Sequence, residues 1–481
     1  MKLFRFTGIA GIVLAVATVS TMAAAMPLSD EAVAKFNHDV LFGSGRASDA
    51  ALRALAARNN PDVVPVLVQA LRIRRRDPQI LATVSTLAGA PIRNWRDAML
   101  WQEAHAEVKP HPSFRPLKME VFETLDPKFL RFLGGDKSRP ENLKIRLEEI
   151  VWGGVKVDGI PSLDNPKLVP AADASYLRDT DLAFGGDING DARAYPLRIM
   201  GWHEIFNDPI GGVPVALAYC TLCGAGILFE TKVKGRDKPF VFGSSGFLYR
   251  SNKLMFDRET DSLWNHFTGK PVGGTLLNAG SQLKIRPVVI TSWKKWRARH
   301  PATKALSLET GHYRNYGSGV VYRDYFASPD LMFPTRVRDE TVVRRKDYVF
   351  GIRDVVAAKA WPLTAFANEP VINDTVGARL VVLIGDTKTR SVRAYDRGDI
   401  AFSTGKGADP LAGPGGDWKI TEDALIGPTG DKLAPAPGRI RHSFAWDGYL
   451  GAHSDLYRTG KCAGGKHSGI ATCCRVIRPP E

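Results

Sequence analysis

Long apolar runs are almost absent from this chain of 481 residues. The one present is N-terminal. Behind Lys2 and Arg5, Phe6 to Val19 is apolar and broken only by small residues, and Ala23-Ala24-Ala25 follows. The run is short of the ~20 residues that a membrane span needs. It reads as a signal peptide over residues 1–25, cleaved near Met26, with an uncleaved anchor as the alternative. No later stretch is long and apolar enough to cross a bilayer. The expected location is therefore periplasmic or secreted.

Cysteine is scarce as well. There are five: Cys220, Cys223, Cys462, Cys473 and Cys474. In an oxidising compartment the last three allow one disulfide, Cys462 with either neighbour, and leave one thiol over. Acidic residues are outnumbered: 65 Lys and Arg face 50 Asp and Glu, for a net charge of +15. The excess is spread along the chain, with clusters at Arg72–Arg76 and Arg344–Lys346. A solvated basic face is the plain reading, and attraction to an anionic envelope surface is the alternative. No nucleic-acid-binding module accompanies the charge, so no nucleic-acid partner is expected. An EF-hand is missing too. Asp187, Asn189 and Asp191 alternate as calcium ligands do, but the Gly-x5-Glu continuation is not there, and a hairpin turn is the better reading.

What is present divides the chain in two. From Ser48 to about Val108 apolar residues recur at helical spacing: Leu52 and Leu55, then Val64, Leu67, Val68 and Leu71, then Leu81, Val84 and Leu87. Asn60-Pro61 ends one helix and starts the next. Paired helices with such turns resemble HEAT-type repeats, which pack or bind far more often than they catalyse. Residues 109–148 are interrupted by Pro110, Pro112, Pro116, Pro140 and a Gly-Gly pair and read as a connector. From residue 149 the pattern becomes short strands and turns, among them Val151–Val157, Ala192–Tyr195, Val241–Gly243 and Leu254–Asp257. Trp293 to Arg299 reads as a short helix stopped by His300-Pro301.

The strand-rich part is written twice. Pro196, Asn207, Asp208 and Gly211 recur without gaps as Pro362, Asn373, Asp374 and Gly377, each 166 residues on. After a shorter middle, Trp264 matches Trp418 at 154, and Trp293 and His300 match Trp446 and His453 at 153. The second copy keeps the scaffold and drops the chemistry. His203 becomes Glu369, Cys220 becomes Asp386 and Cys223 becomes Thr389. Residues kept in both copies are read as scaffold, with Asn207-Asp208 as the turn before Gly211. The expected organisation is a signal peptide (1–25), a helical segment (30–108), a connector (109–148), module copy one (149–330), copy two without the site (331–457) and a cysteine-containing tail (458–481). The fold class is α+β.

Cys220-Thr221-Leu222-Cys223-Gly224 is the stretch with chemistry. A Cys-x-x-Cys-Gly turn between strands suits a metal knuckle. A thioredoxin-type motif would begin a helix, whereas Ile227-Leu228-Phe229 continues as a strand. Metal, a redox-active or structural disulfide, and inert thiols all remain open at this point. A metal needs further ligands. His203 is the leading candidate, because it is lost together with both cysteines, and Met255 is next. Asp257 and His266 are weaker. A thioether would favour copper, and a second imidazole zinc or iron. Glu204 is the candidate catalytic residue, orienting His203 or carrying a proton.

Six motifs occur in order: Asp158-Gly-Ile-Pro-x-Leu-Asp-Asn-Pro166, Arg193-Ala-Tyr-Pro-Leu197, Trp202-His-Glu-Ile-x-Asn-Asp208, Tyr219-Cys-x-Leu-Cys-Gly224, Leu254-Met-x-Asp-Arg258 and Ser262-Leu-Trp264. Over about residues 149–457 the chain resembles the bacterial domain-of-unknown-function family 3179. It departs from that pattern at His266, where Gln is usual, and at Thr221, where Pro is usual. The resemblance implies a domain and no activity. Three functions stay in play. One is an exported metal-binding protein acting as an oxidoreductase through Cys220, Cys223 and His203. Another is a structural or adaptor protein that binds a protein partner through its helices. The third is a thiol–disulfide redox protein acting on a protein or small molecule.

Overall fold

The structure is a computed structural model, and it describes residues 28–133, 143–406 and 411–458. The signal peptide and Cys462, Cys473 and Cys474 lie outside those residues. No helix among them is long and apolar enough to cross a membrane.

Helices come first. Asp30–Phe42, Gly45–Arg58, Pro78–Ala88 and Trp95–Ala104 each start on a side-chain cap, from Ser29, Ser44, Asp77 and Asn94 respectively. Such caps satisfy backbone N–H groups that the first turn leaves free. Val64–Ile73 lies at the centre and touches Asp30–Phe42, Pro78–Ala88, Trp95–Ala104 and Phe114–Leu125. In a repeat stack each unit meets only its neighbours. This helix meets four others, so nothing here confirms the HEAT-type reading. The expected connector is also more ordered than its prolines suggest. Phe114–Leu125 is an α-helix and Pro127–Leu133 a 3-10 turn. Their Phe122, Phe129 and Phe132 pack on Phe247 and Phe256 of the first module. Apolar spacing outweighs Pro116, which sits early in the helix where a missing N–H is tolerated.

The strand-rich part makes the class α+β. In copy one, Leu182–Ile188 and Asp191–Pro196 form a hairpin through Asn189-Gly190, as the turn reading expected. The helix Leu197–His203 follows, then the meander Ile205–Ile210, Val213–Cys220 and Ala225–Glu230. Copy two repeats this order with Tyr348–Arg353, Ala358–Pro362, a 3-10 turn, Val371–Val376, Arg379–Asp386 and Ser391–Asp396. Each copy closes with a strand, a helix and a short parallel strand: Val289–Ser292, Trp293–Arg299 and Lys304–Leu306 in one, Gly438–His442, Ser443–Leu450 and Asp455–Leu456 in the other.

Strand register corrects the sequence alignment of these ends. Ile290 sits opposite Phe184, and Ile440 opposite Phe350. The equivalent tryptophans are therefore Trp296 and Trp446, 150 residues apart, rather than Trp293 and Trp446. A Cβ on Gly185 would lie 2.3 Å from Trp296, and one on Gly351 2.1 Å from Trp446. Their indole N–H groups donate to Thr303 and Ser454 in the same way. His300 and His453 are then not equivalent, and Ser292 corresponds to His442.

Asn207 and Asp208 form no turn. Both lie in the strand Ile205–Ile210. Asn207 clamps the backbone of Phe242 with two hydrogen bonds of 2.9 Å, as Asn373 clamps Phe402. Asp208 pairs with Arg193 and accepts from Tyr195, as Asp374 pairs with Lys359 and accepts from Trp361. These polar contacts, buried in copy one and partly exposed in copy two, are the reason those residues recur.

The copies meet reciprocally. Ala225–Glu230 of copy one packs along Gly438–His442 of copy two, and Ser391–Asp396 of copy two packs along Val289–Ser292 of copy one. The exchange of equivalent strands gives the body a pseudo-twofold. It brings each copy's hairpin tip to the strand–helix junction of the other.

Candidate functional site

Cys220 ends one strand and Ala225 begins the next, so the Cys-x-x-Cys segment is the tip of a β-hairpin. The backbone closes it through Cys223 N–H to Cys220 O at 3.1 Å and Gly224 N–H to Thr221 O at 3.1 Å. Cys220 and Cys223 form a disulfide, and both are buried. The Cys223 sulfur also lies 3.4 Å from the Ser251 carbonyl.

The second copy supplies much of the wall. The His442 N–H donates to Cys223 O at 2.8 Å. Its Nδ1 lies 2.6 Å from the Lys346 carbonyl, which fixes the tautomer with the proton on Nδ1. That leaves Nε2 with a lone pair, buried and without a hydrogen-bond partner among the described residues. Burial pushes the imidazole down to about 4, against the Lys346 carbonyl, so the ring is neutral at pH 7. Gly224 lets the ring come this close. It has φ +60°, and a Cβ there would lie 2.9 Å from Tyr348 and 3.1 Å from His442 Nε2. The Tyr348 and His442 rings lie 4.3 Å apart, tilted by 30°, and Arg390 donates to the Tyr348 hydroxyl at 2.9 Å. Over the other side passes the segment between the copies. There the Tyr325 hydroxyl donates to Leu222 O at 2.9 Å, and Lys346 holds the Tyr325 and Ser328 carbonyls.

The residues proposed as partners of the cysteines are placed otherwise. Both nitrogens of His203 are engaged, with the Pro161 carbonyl at 2.9 Å and the Tyr316 hydroxyl at 2.6 Å. Burial lowers this ring to about 4 as well. Met255 packs with Ile205, Ala218, Phe242 and Trp264, whereas the cysteines belong to the cluster of Leu248, Tyr325, Phe333 and Phe444. His266 holds the Ala218 carbonyl at 2.8 Å, and Asp257 caps the Thr260 turn and accepts from Trp264. Burial and the nearby Arg441 bring His266 to about 3. Glu204 is closest to the expected place, since its carbonyl accepts from Tyr219, the neighbour of Cys220, at 2.6 Å. Its carboxylate is bound to buried Lys253 at 2.5 Å. Among the described residues no group of three or more His, Cys, Asp or Glu is gathered to hold a metal.

His442, Tyr348 and Tyr325 were missed by sequence reasoning. A signal for His442 exists in the 150-residue spacing of Trp296 and Trp446, which sets it against Ser292. The 153-residue spacing of Trp293 and Trp446 conceals it.

The hairpin tip of copy two is the natural contrast. Asp386, Thr387, Lys388, Thr389 and Arg390 occupy the places of Cys220 to Gly224. Asp386 accepts from Lys388 N–H at 2.9 Å and from the Thr389 hydroxyl at 2.6 Å, which makes the same turn without sulfur. Lys295 of copy one reaches Asp386 at 2.5 Å, from the junction equivalent to that of His442.

A family model described as "Protein of unknown function (DUF3179)" matches residues 157–453. Neither the curated proteins nor the solved structures searched include a match.

Proposed function

The chain belongs to the DUF3179 family, and on that premise we propose that it is a thiol–disulfide oxidoreductase with Cys220 and Cys223 as its redox couple. One observation carries the reading: at a hairpin tip that the second copy closes without sulfur there is a disulfide, with the His442 N–H on Cys223 O and the ring's unpartnered Nε2 against Gly224. A structural clip is the weaker reading for two reasons. A loop this short gains little from cross-linking, about 2 kcal/mol by chain entropy, and the backbone bonds already close the turn. The second copy also builds the same hairpin tip from Asp386 and Thr389.

The chemistry needs an external dithiol and no cofactor. Its thiolate attacks one sulfur of the pair, the S–S bond breaks, and a mixed disulfide forms. The second thiol of the donor then attacks that bond and leaves as its own disulfide. Two electrons and two protons pass to Cys220 and Cys223. His442, neutral at pH 7, presents its unpartnered Nε2 lone pair as a hydrogen-bond acceptor for the reduced thiols. The Tyr325 segment has to move for a donor to reach the tip. Export to the periplasm or cell surface would suit such a couple.

The test is mass-tagging of thiols on the peptide carrying Cys220 and Cys223, in the folded chain, before and after a small dithiol, with elemental analysis alongside. Two tags gained on reduction and lost on re-oxidation support the reading. Stoichiometric copper, zinc or iron bound by the thiols would replace it with the metal reading. No native-state reduction would leave the structural or adaptor reading.

A further inference from the structure

The helical segment holds a cleft that the redox reading does not use. It has a volume of about 280 Å³ and lies between Val64–Ile73, Trp95–Ala104, Phe114–Leu125 and the strand Ile150–Trp152. Val68, Trp95, Val121 and Trp152 make its walls mostly apolar, and Phe42 and Ile73 stand exposed at its rim. Large apolar clefts with a few polar groups are where small ligands bind.

The charge in the cleft is one-sided. Its one carboxylate, Glu148, is already bound by Arg146 at 2.7 Å. Lys118 is directed at the Ile150 carbonyl, at 2.7 Å. Arg72 lies against the rings of Trp95, Phe333 and Trp152 at 5.0, 5.4 and 5.9 Å. One of its terminal nitrogens donates to the Trp152 carbonyl at 3.4 Å, its Nε is buried with no hydrogen-bond partner, and no carboxylate meets it among the described residues. Burial and the nearby Arg75 both push its pKa down, which an anion would reverse. Arg75 lines the same cleft. An apolar trough ending at two unneutralised guanidinium groups is complementary to an amphiphile with an anionic head. The basic cluster Arg72–Arg76 thereby acquires a role.

We propose that this cleft binds a single-chain anionic amphiphile of the fatty-acid class, with the alkyl chain between Val68, Val121 and Trp152 and the carboxylate at Arg72 and Arg75. A free amphiphile is favoured over a bilayer because the cleft is recessed and only Phe42 and Ile73 project beside it.

Calorimetric titration of the full chain with dodecanoate, below its micelle concentration, tests this. One dodecanoate per chain is expected, with no binding of dodecyltrimethylammonium. Arg72→Gln and Arg75→Gln should each weaken binding by roughly tenfold, the worth of a charge-assisted contact. Arg75 is exposed, so that variant leaves the core intact. Gln69→Trp/Thr124→Trp fills the cleft from its rim and should abolish binding. Absence of saturable binding, or equal affinity in the filled variant, overturns the proposal. So does attachment to phosphatidylglycerol vesicles that the filled variant retains while dodecanoate fails to bind, since the basic cluster would then serve a membrane surface.

Discussion

The two hairpin tips of this molecule are an experiment already performed. Both end a strand of the same meander, both finish on a residue in the left-handed region, Gly224 at φ +60° and Arg390 at φ +55°, and both meet the strand–helix junction of the other copy. One is closed by a disulfide and faces a neutral histidine. The other is closed by an aspartate–threonine turn and faces a lysine. The scaffold therefore asks for a turn and not for sulfur. What copy two has lost at its own tip it returns in trans, because His442 and Tyr348 come from it and cover Cys223 and Gly224. The two copies differ in what they contribute: copy one carries the disulfide, and copy two carries the histidine that covers it.

Breaking that division at the sulfurs should have the largest effect. Cys220→Ser/Cys223→Ser is expected to abolish dithiol exchange entirely while costing the fold no more than about 2 kcal/mol in denaturant melts. A collapse of the fold would make the disulfide structural. Next is pH. His442 is neutral in the folded chain with a pKa of about 4, below the 6.5 of an exposed histidine. Between those values the unfolded chain binds more protons, so stability rises with pH and is lost as pH falls from about 6.5 to 4. His442→Gln should remove up to about 3 kcal/mol of that pH dependence. His203 and His266 contribute with the same sign and remain in the variant, which makes the difference between the two curves the useful quantity. His442→Ser installs the residue that copy one has at Ser292. It should slow exchange by about tenfold at neutral pH, the scale of one lost hydrogen bond.

Smaller effects sharpen the equivalence itself. Gly185→Ala and Gly351→Ala should each cost about 2 kcal/mol, because a methyl would overlap Trp296 in one copy and Trp446 in the other. Unequal losses would challenge the 150-residue pairing. Smallest of all, Asp386→Cys/Thr389→Cys should oxidise to a second disulfide and change stability by less than about 1 kcal/mol. Its thiols should keep ordinary reactivity, since Lys295 rather than a histidine meets that tip among the described residues.

Much of this was legible in the chain. Apolar spacing and turn residues exposed most of the helices and the short strands, because those signals are local, and the recurrence of whole motifs exposed the duplication. The Cys-x-x-Cys turn was found, and so was its strand-to-strand setting. What the sequence hid was long-range. His203 was coupled to the cysteines by shared loss, yet its ring serves Pro161 and Tyr316. His442 follows Cys223 by more than two hundred residues, and only the exchange of strands between copies brings them together. Phe114–Leu125 was masked by the prolines around it, although its apolar spacing was present.

The measurement that bears most directly on the account is the equilibrium potential of the Cys220–Cys223 couple, read by mass-tagging the folded chain in dithiol buffers of graded poise. Catalytic couples lie between about −270 and −120 mV, while structural disulfides lie below about −300 mV. A reversible two-electron transition in the first range, altered by His442→Ser and untouched in fold, is what the account predicts. A couple that resists reduction until the chain unfolds would contradict it.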